Sequence, residues 1–175
     1  MKIMFTKSFS GMFGTLFGKI WDLIVPCFSH PYIDVELRLD GYKQLNKRLI
    51  SSKETIHVSE AVYDYDFRWD YVMVIKNNSS IPAFNLVIKE LPVFLRITDP
   101  MERTISLRPF EKIELKCIVQ HSETMNGHAV IQRFKQFPYF TDKIKMVIGY
   151  QNERHKQFYT TFVYDKIGQR NEYKK

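Results

Sequence analysis

Alternation of apolar and polar side chains over short stretches is the feature that most restricts what this chain can fold into. The clearest example is residues 67–76, where every second side chain is large and apolar. Successive side chains of a strand point to opposite faces of a sheet, so this pattern predicts a strand with one buried face. Similar alternation occurs at residues 32–40, 113–119, 143–150 and 156–164. Between these runs, no stretch has the 3.6-residue period that a crossover helix requires.

Together with shorter apolar runs, these stretches predict seven to nine strands over residues 32–165. Strands at such short spacing are typical of an antiparallel β-sandwich, and a β-barrel is the alternative. Residues 77–80 have turn-forming composition. We also expect Gly41 to turn the chain after the first strand, and residues 121–128 to form a polar loop. The predicted fold class is therefore mainly β.

Composition divides the chain into three segments. Residues 1–28 are predicted to form one amphipathic, membrane-seeking α-helix, and residues 29–165 an immunoglobulin-like β-sandwich domain. Residues 166–175 form a basic tail that we expect to be frayed. Because 45% of the residues are hydrophobic and 15% aromatic, the chain has ample material for one core.

A wide apolar arc dominates the N-terminal segment when it is placed on a helix at about 100° per residue. Pro26 ends this helix, because proline lacks the backbone N–H that the helix needs. The side chains predicted to insert into a bilayer are Phe9, Phe13, Leu16, Phe17, Ile20, Trp21 and Ile24.

The other face of the predicted helix is small rather than charged. Ser10, Gly14 and Gly18 lie four residues apart and make a ridge that lets another helix approach closely. Each glycine inside a helix costs about 1 kcal/mol relative to alanine. The helix therefore needs an outside partner, which is a lipid surface, a partner protein or a second copy of the chain.

The sequence alone allows four placements of this helix. It lies in a bilayer interface, or it spans the bilayer, since residues 9–28 match the roughly 20 residues that a spanning helix needs. Lys19 and Asp22 oppose spanning, because each costs about 2.5–3.5 kcal/mol near the bilayer centre. Docking on protein is the third placement. A cleaved signal peptide is the fourth, although Asp22 and the lack of a small-residue cleavage site disfavour it.

The glycine and phenylalanine alternation of residues 11–21, GMFGTLFGKIW, resembles the fusion peptides of viral glycoproteins. This resemblance covers about a dozen residues and implies membrane insertion.

Residues 69–79, 83–88 and 107–115 resemble bacterial immunoglobulin-like and fibronectin-III-like sandwiches. Those domains often combine a strand, an Asn/Gly/Ser turn, a strand that begins with Ala-x-Asn, and Leu-x-Pro-x-Glu before another strand. The resemblance implies a structural or adhesive role and no particular chemistry.

The formal net charge of +7 suits anionic lipid headgroups, and it is spread in modest clusters. No RNA-binding signature or zinc-finger spacing occurs, so we expect no nucleic-acid partner. The expected partners are anionic membrane lipid, a protein, or both, and a homo-oligomer could form through the helix.

Reactive residue types do not assemble into a catalytic pattern in the sequence. Cys117 lies in an apolar alternation and is expected to be buried, and with Cys27 it suggests free thiols in a reducing, cytoplasmic compartment. His121, Glu123 and His128 share one polar stretch, for which a solvated loop is the favoured interpretation over a metal site.

Asp64 and Asp66 have the spacing of a solvated strand face rather than of an acid/base pair. We therefore predict no catalytic residue, no metal and no cofactor. The predicted protein is non-enzymatic and membrane-associated, with a sandwich that binds protein, and a small bacterial membrane-acting effector is one form of it. The alternative is a soluble scaffold subunit whose N-terminal helix docks into a partner complex.

Overall fold

The structure is a computed structural model that describes residues 30–51, 61–100, 105–126, 129–130, 138 and 140–174. Nine β-strands lie in these ranges. They are β1 (Ile33–Ser51), β2 (Val62–Asn77), β3 (Ala83–Glu90), β4 (Leu95–Ile97), β5 (Ile105–Leu107), β6 (Lys112–Asn126), β7 (Lys143–Gln151), β8 (Gln157–Asp165) and β9 (Gln169–Lys174).

The strands form two antiparallel sheets, one in the order β1-β2-β6-β4 and one in the order β5-β3-β7-β8-β9. Side chains from both sheets share one hydrophobic core. The fold is therefore mainly β and sandwich-like, as the alternation predicts. The predicted buried faces of β2 and β7 are confirmed, since each of the following side chains is at most 1% exposed: Phe67, Trp69, Tyr71, Met73, Ile75, Ile144, Met146, Ile148 and Tyr150.

Aromatic rings two residues apart on β2 form the middle of this core. The ring centroids of Tyr65 and Phe67 are 5.9 Å apart, and those of Phe67 and Trp69 are 6.1 Å apart. Phe140 packs on Trp69 with a centroid distance of 5.8 Å. Such contacts add to the free energy gained by burying the rings, so the period-2 aromatics of β2 stabilise the core.

The first strand is longer than the sequence predicts. Gly41 does not turn the chain; it lies within β1, next to a register shift between Leu39 and Gly41. Further shifts occur between Gln44 and Asn46 and between Leu49 and Ser51. A bulge takes an extra residue into one strand without ending it, so a glycine that predicts a turn marks a bulge here.

Two further segments that were expected to be irregular form β-strands. The predicted polar loop at residues 121–128 is, as far as Asn126, the second half of β6. The basic end of the chain is not frayed over Gln169–Lys174, because β9 pairs there with β8. Both segments are polar because one face or both faces of the strand meet water, and polarity alone does not separate such strands from loops.

The predicted N-terminal helix, with its inserting residues and its small-residue ridge, lies outside the described residues. Within the described ranges, no helix has the length and hydropathy needed to cross a bilayer.

Candidate interaction surface

The edge strand β1 has a closed half, which contains Val35 and Leu37, and an open half, residues 42–50. This contrast defines the candidate surface. In the closed half, side chains of β9 occupy the edge that faces away from β2. Val35 N–H donates to Asn171 Oδ1 at 3.1 Å, and Asn171 Nδ2 donates to the Val35 carbonyl at 3.0 Å. Gln169 makes the same pair of bonds with Leu37, at 2.8 and 2.6 Å. These amides satisfy backbone groups that a neighbouring strand would otherwise satisfy.

In the open half, residues 42–50, every side chain is exposed. The large apolar side chains there are 40–52% exposed and are Tyr42, Leu45, Leu49 and Ile50. Because large apolar side chains are usually buried, a group of them on one strand edge makes this edge a candidate interaction surface. Sequence reasoning missed this surface, because the turn expected at Gly41 ends the first strand before residue 42.

The open half is also basic. It contains Lys43, Lys47 and Arg48 and no acidic residue. Lys43 Nζ lies 3.8 Å from a carboxylate oxygen of Asp70, and Lys47 Nζ lies 3.8 Å from the ring centroid of Tyr63. Both cations are thus held beside β2 by contacts of modest strength, and they remain exposed to an incoming anionic group.

Behind the open half, the outer face of the sheet carries a row of polar side chains that bond across three strands. Asp66 accepts hydrogen bonds from Ser122 Oγ at 2.6 Å and from Asn46 Nδ2 at 3.0 Å. These bonds, that of Ser122 first, lower the pKa of Asp66 below its usual value. Asp64 accepts from Thr124 Oγ1 at 2.5 Å. Asp64 and Asp66 thus lie on a polar face of the sheet, where each carboxylate is hydrogen-bonded to a neighbouring strand.

At the other end of β1, a buried asparagine joins two turns. Asn77 is fully buried, and its Nδ2 donates to the carbonyls of Ile81 at 2.7 Å and Arg108 at 3.1 Å. Its Oδ1 accepts from Ser79 Oγ at 2.7 Å. In the second turn, Phe110 has a φ of 61° and is 64% exposed. The side-chain amide of Asn77 therefore links the two turns and helps to fix them relative to each other.

Two of the reactive side chains named above, Cys117 and His121, lie in the described part of the chain. Cys117 is fully buried, as predicted, and burial raises the pKa of its thiol to about 11. The ring of His121 stacks on Phe140 with centroids 4.2 Å apart, while His128 lies outside the described residues. Within the described ranges, no three His, Cys, Asp or Glu side chains are placed to hold a metal ion.

The structure therefore tests only part of the predicted site. The residues predicted to insert into a bilayer or to pack helices lie outside the described ranges, while the sandwich presents a basic, apolar strand edge. No protein-family model, no curated protein and no solved structure matches this chain.

Proposed function

We propose that this protein is a non-enzymatic, membrane-associated protein. An N-terminal amphipathic helix lies on or inserts into an anionic bilayer, and an immunoglobulin-like sandwich, on the cytoplasmic side, binds a partner protein. The observation that carries the proposal is the apolar arc of residues 9–24, in which four aromatic side chains recur every four residues. That spacing puts Phe9, Phe13, Phe17 and Trp21 on one side of a helix, where aromatic rings favour the bilayer interface.

The exposed strand edge supports the second part of the proposal. A sandwich that only spaced other domains would have no use for four exposed apolar side chains along one edge, because such an edge promotes aggregation. A small bacterial membrane-acting effector is the specific form that we favour, since it combines a membrane-seeking segment with a protein-binding domain. Self-association through Ser10, Gly14 and Gly18 would bring several helices together in the bilayer.

The second candidate is a soluble scaffold subunit whose N-terminal helix docks into a partner complex. The small-residue ridge favours it, because a ridge of Ser10, Gly14 and Gly18 suits close contact between helices and is not needed at a lipid surface.

Vesicle co-sedimentation with dye leakage tests the proposal and separates the two candidates. The full chain is mixed with vesicles of phosphatidylglycerol and phosphatidylcholine, and compared with a Phe13→Asp, Phe17→Asp variant. We expect the full chain to sediment and the variant to stay in solution, because charge on the apolar arc opposes insertion. The matched control is Val93→Asp, which changes an equally apolar but fully exposed residue of the sandwich and should leave binding unchanged.

Leakage of the dye from the same vesicles would favour an effector over a simple anchor. A second variant, Gly14→Leu with Gly18→Leu, tests the ridge. If it keeps vesicle binding but loses self-association, the ridge packs helices together. If the unchanged chain does not bind vesicles at all, the membrane proposal fails and the docked scaffold replaces it.

A further inference from the structure

We propose that the open half of β1 binds an extended, acidic peptide segment, which adds to the four-stranded sheet as a fifth strand. This inference rests on the protein-binding role proposed for the sandwich and is independent of the membrane role. Strand addition is a common mode of peptide recognition, in which the backbone provides affinity and side chains provide selectivity.

The backbone geometry supplies the first argument. Val35 and Leu37 direct their N–H and C=O groups away from β2, and they lie opposite Ile75 and Met73. Backbone bonding alternates along an antiparallel pair. Because β2 pairs with β6 without a register shift, this alternation is unbroken along β2. Every residue of β1 that lies opposite an odd-numbered residue of β2 therefore directs its N–H and C=O groups away from β2, as Val35 and Leu37 do.

Four residues of the open half fit that rule, and the first is Tyr42 opposite Trp69. Gln44, Lys47 and Leu49 lie opposite Phe67, Tyr65 and Tyr63, so their backbone groups face the outer edge. In the described part of the chain, β1 is the terminal strand of its sheet on this side. The side-chain amides of Gln169 and Asn171 bond only as far as Leu37. The edge of the closed half is thus bonded within the chain. Among the described residues, no side-chain amide bonds the outward-facing N–H and C=O groups of Gln44, Lys47 and Leu49, so these groups can bond a ligand strand.

The charge of the open half determines which kind of peptide segment it can bind. Because residues 41–50 hold three basic residues and no acidic residue, a strand with carboxylates beside Lys47 on one face of the sheet, or beside Lys43 and Arg48 on the other face, is complementary. A basic strand is repelled. A second copy of the same strand would place lysines and arginine beside each other. A lipid surface is also disfavoured, because hydrocarbon leaves edge N–H and C=O groups without hydrogen bonds.

The bulges limit the length of the bound segment. Register shifts at Gln44/Asn46 and Leu49/Ser51 increase the local twist of β1. The stretch between them is short, so we expect a brief segment whose apolar side chains contact Leu45, Leu49 and Ile50, which are 40–52% exposed.

Fluorescence anisotropy with the full chain tests the proposal. The probes are a labelled peptide of repeated Val-Glu-Thr-Glu, its counterpart of repeated Val-Lys-Thr-Lys, and a peptide with the sequence of residues 41–50. We expect the acidic peptide to bind at least about tenfold more tightly than either basic peptide, since like charges across an interface are costly. In hydrogen exchange, the amides of Lys47 and Leu49 should become protected when the acidic peptide is added.

Leu49→Pro removes one outward-facing N–H while keeping every charge, and Leu49→Ala is its matched control. We expect the proline variant to bind the acidic peptide about tenfold more weakly than the alanine variant, because a strand hydrogen bond is lost and the ring blocks its neighbours. Should the proline variant fold poorly, Lys47→Glu with Arg48→Glu provides the second test. That variant should prefer the lysine peptide.

Equal binding of the acidic and lysine peptides, or unchanged selectivity in the charge-reversed variant, would overturn the proposal. Tighter binding of the 41–50 peptide would show that the edge joins two copies of the chain instead. If no peptide binds and Leu49→Asp abolishes vesicle binding, the edge is a lipid contact. None of these outcomes alters the vesicle result expected for Phe13→Asp, Phe17→Asp, so failure of this proposal is distinguishable from failure of the membrane proposal.

Discussion

Ser122 on β6 donates a 2.6 Å hydrogen bond to the carboxylate of Asp66 on β2, and the two residues are register partners across the sheet. The bond favours the charged form of the carboxylate, so it lowers the pKa of Asp66 in the folded chain. The stability that this bond provides is complete above the unfolded pKa, near 4, and is lost as the pH falls through the folded pKa.

Ser122→Ala should therefore raise the pKa of Asp66 toward its usual value, and should lower stability more at pH 7 than at low pH. A carboxyl-detected NMR titration measures the pKa, and urea unfolding at several pH values measures the stability. Ser106→Ala, at an exposed serine of β5, is the control. A pKa of Asp66 that is the same in both variants would show that Ser122 does not hold the carboxylate.

Asn77→Leu should destabilise the protein by about 2–3 kcal/mol, because it leaves the buried carbonyls of the two turns without a donor. Asn77→Asp should be more harmful at pH 7 than at pH 4. Burial raises the pKa of the new carboxyl, so its stability cost grows as the pH rises above the unfolded value. Urea unfolding at both pH values checks this, and equal loss at the two values would contradict it.

Asn171→Leu should cost about 1–3 kcal/mol, since Val35 then lacks both an acceptor and a donor at the closed edge. Glu172→Leu is the matched control, because the side chain of Glu172 is exposed. As the next residue of the strand, it points to the opposite face of β9 from Asn171. Unfolding free energies from urea titration measure both changes. Equal losses would mean that the amide bonds at the edge add nothing to stability.

Phe110→Gly should stabilise the protein by about 0.5–1 kcal/mol. A φ of 61° is unfavourable for a residue with a Cβ, and little packing is lost from a side chain that is 64% exposed. Val93→Gly, at another exposed apolar residue of a turn, should be neutral or destabilising by comparison. Thermal or urea unfolding measures the difference. A larger loss of stability for Phe110→Gly than for Val93→Gly would show that packing of the Phe110 ring outweighs the backbone strain.

Cys117 should be inert in the native protein. With a thiol pKa of about 11, roughly one thiol in a thousand is ionised at pH 8, and the thiolate is the reactive form. In a Cys27→Ser chain, Ellman's reagent should label Cys117 only when urea unfolds the domain. Rapid labelling without urea would instead make Cys117 an accessible nucleophile.

The strands with strong period-2 patterns are the ones that the sequence predicts well. The face shared by Phe67, Trp69 and Tyr71 is buried as expected, because a large apolar residue at every second position has only one favourable arrangement in a sheet. Cys117 is buried for the same reason. Such strands are specified locally, by their own side chains.

The strand segments that the sequence does not predict form because they pair with strands elsewhere in the fold. Gln169–Lys174 becomes β9 because β8 lies beside it, and residues 42–50 continue β1 because β2 is long enough to pair with them. Their own sequences are mostly polar and have no strong period-2 pattern. For the same reason the open edge was not predicted: strand order is required to know which strand ends a sheet.

The closed half of β1 also bears on how the chain folds as it is made. The amides that complete this edge lie 132–136 residues after the backbone groups they bond. During synthesis, Val35 and Leu37 leave the ribosome long before Gln169 and Asn171 exist, so this edge stays unprotected until β9 docks. Contacts of such long range form slowly, because the intervening chain must first be ordered. This edge of the nascent protein is therefore open to mispairing until β9 emerges.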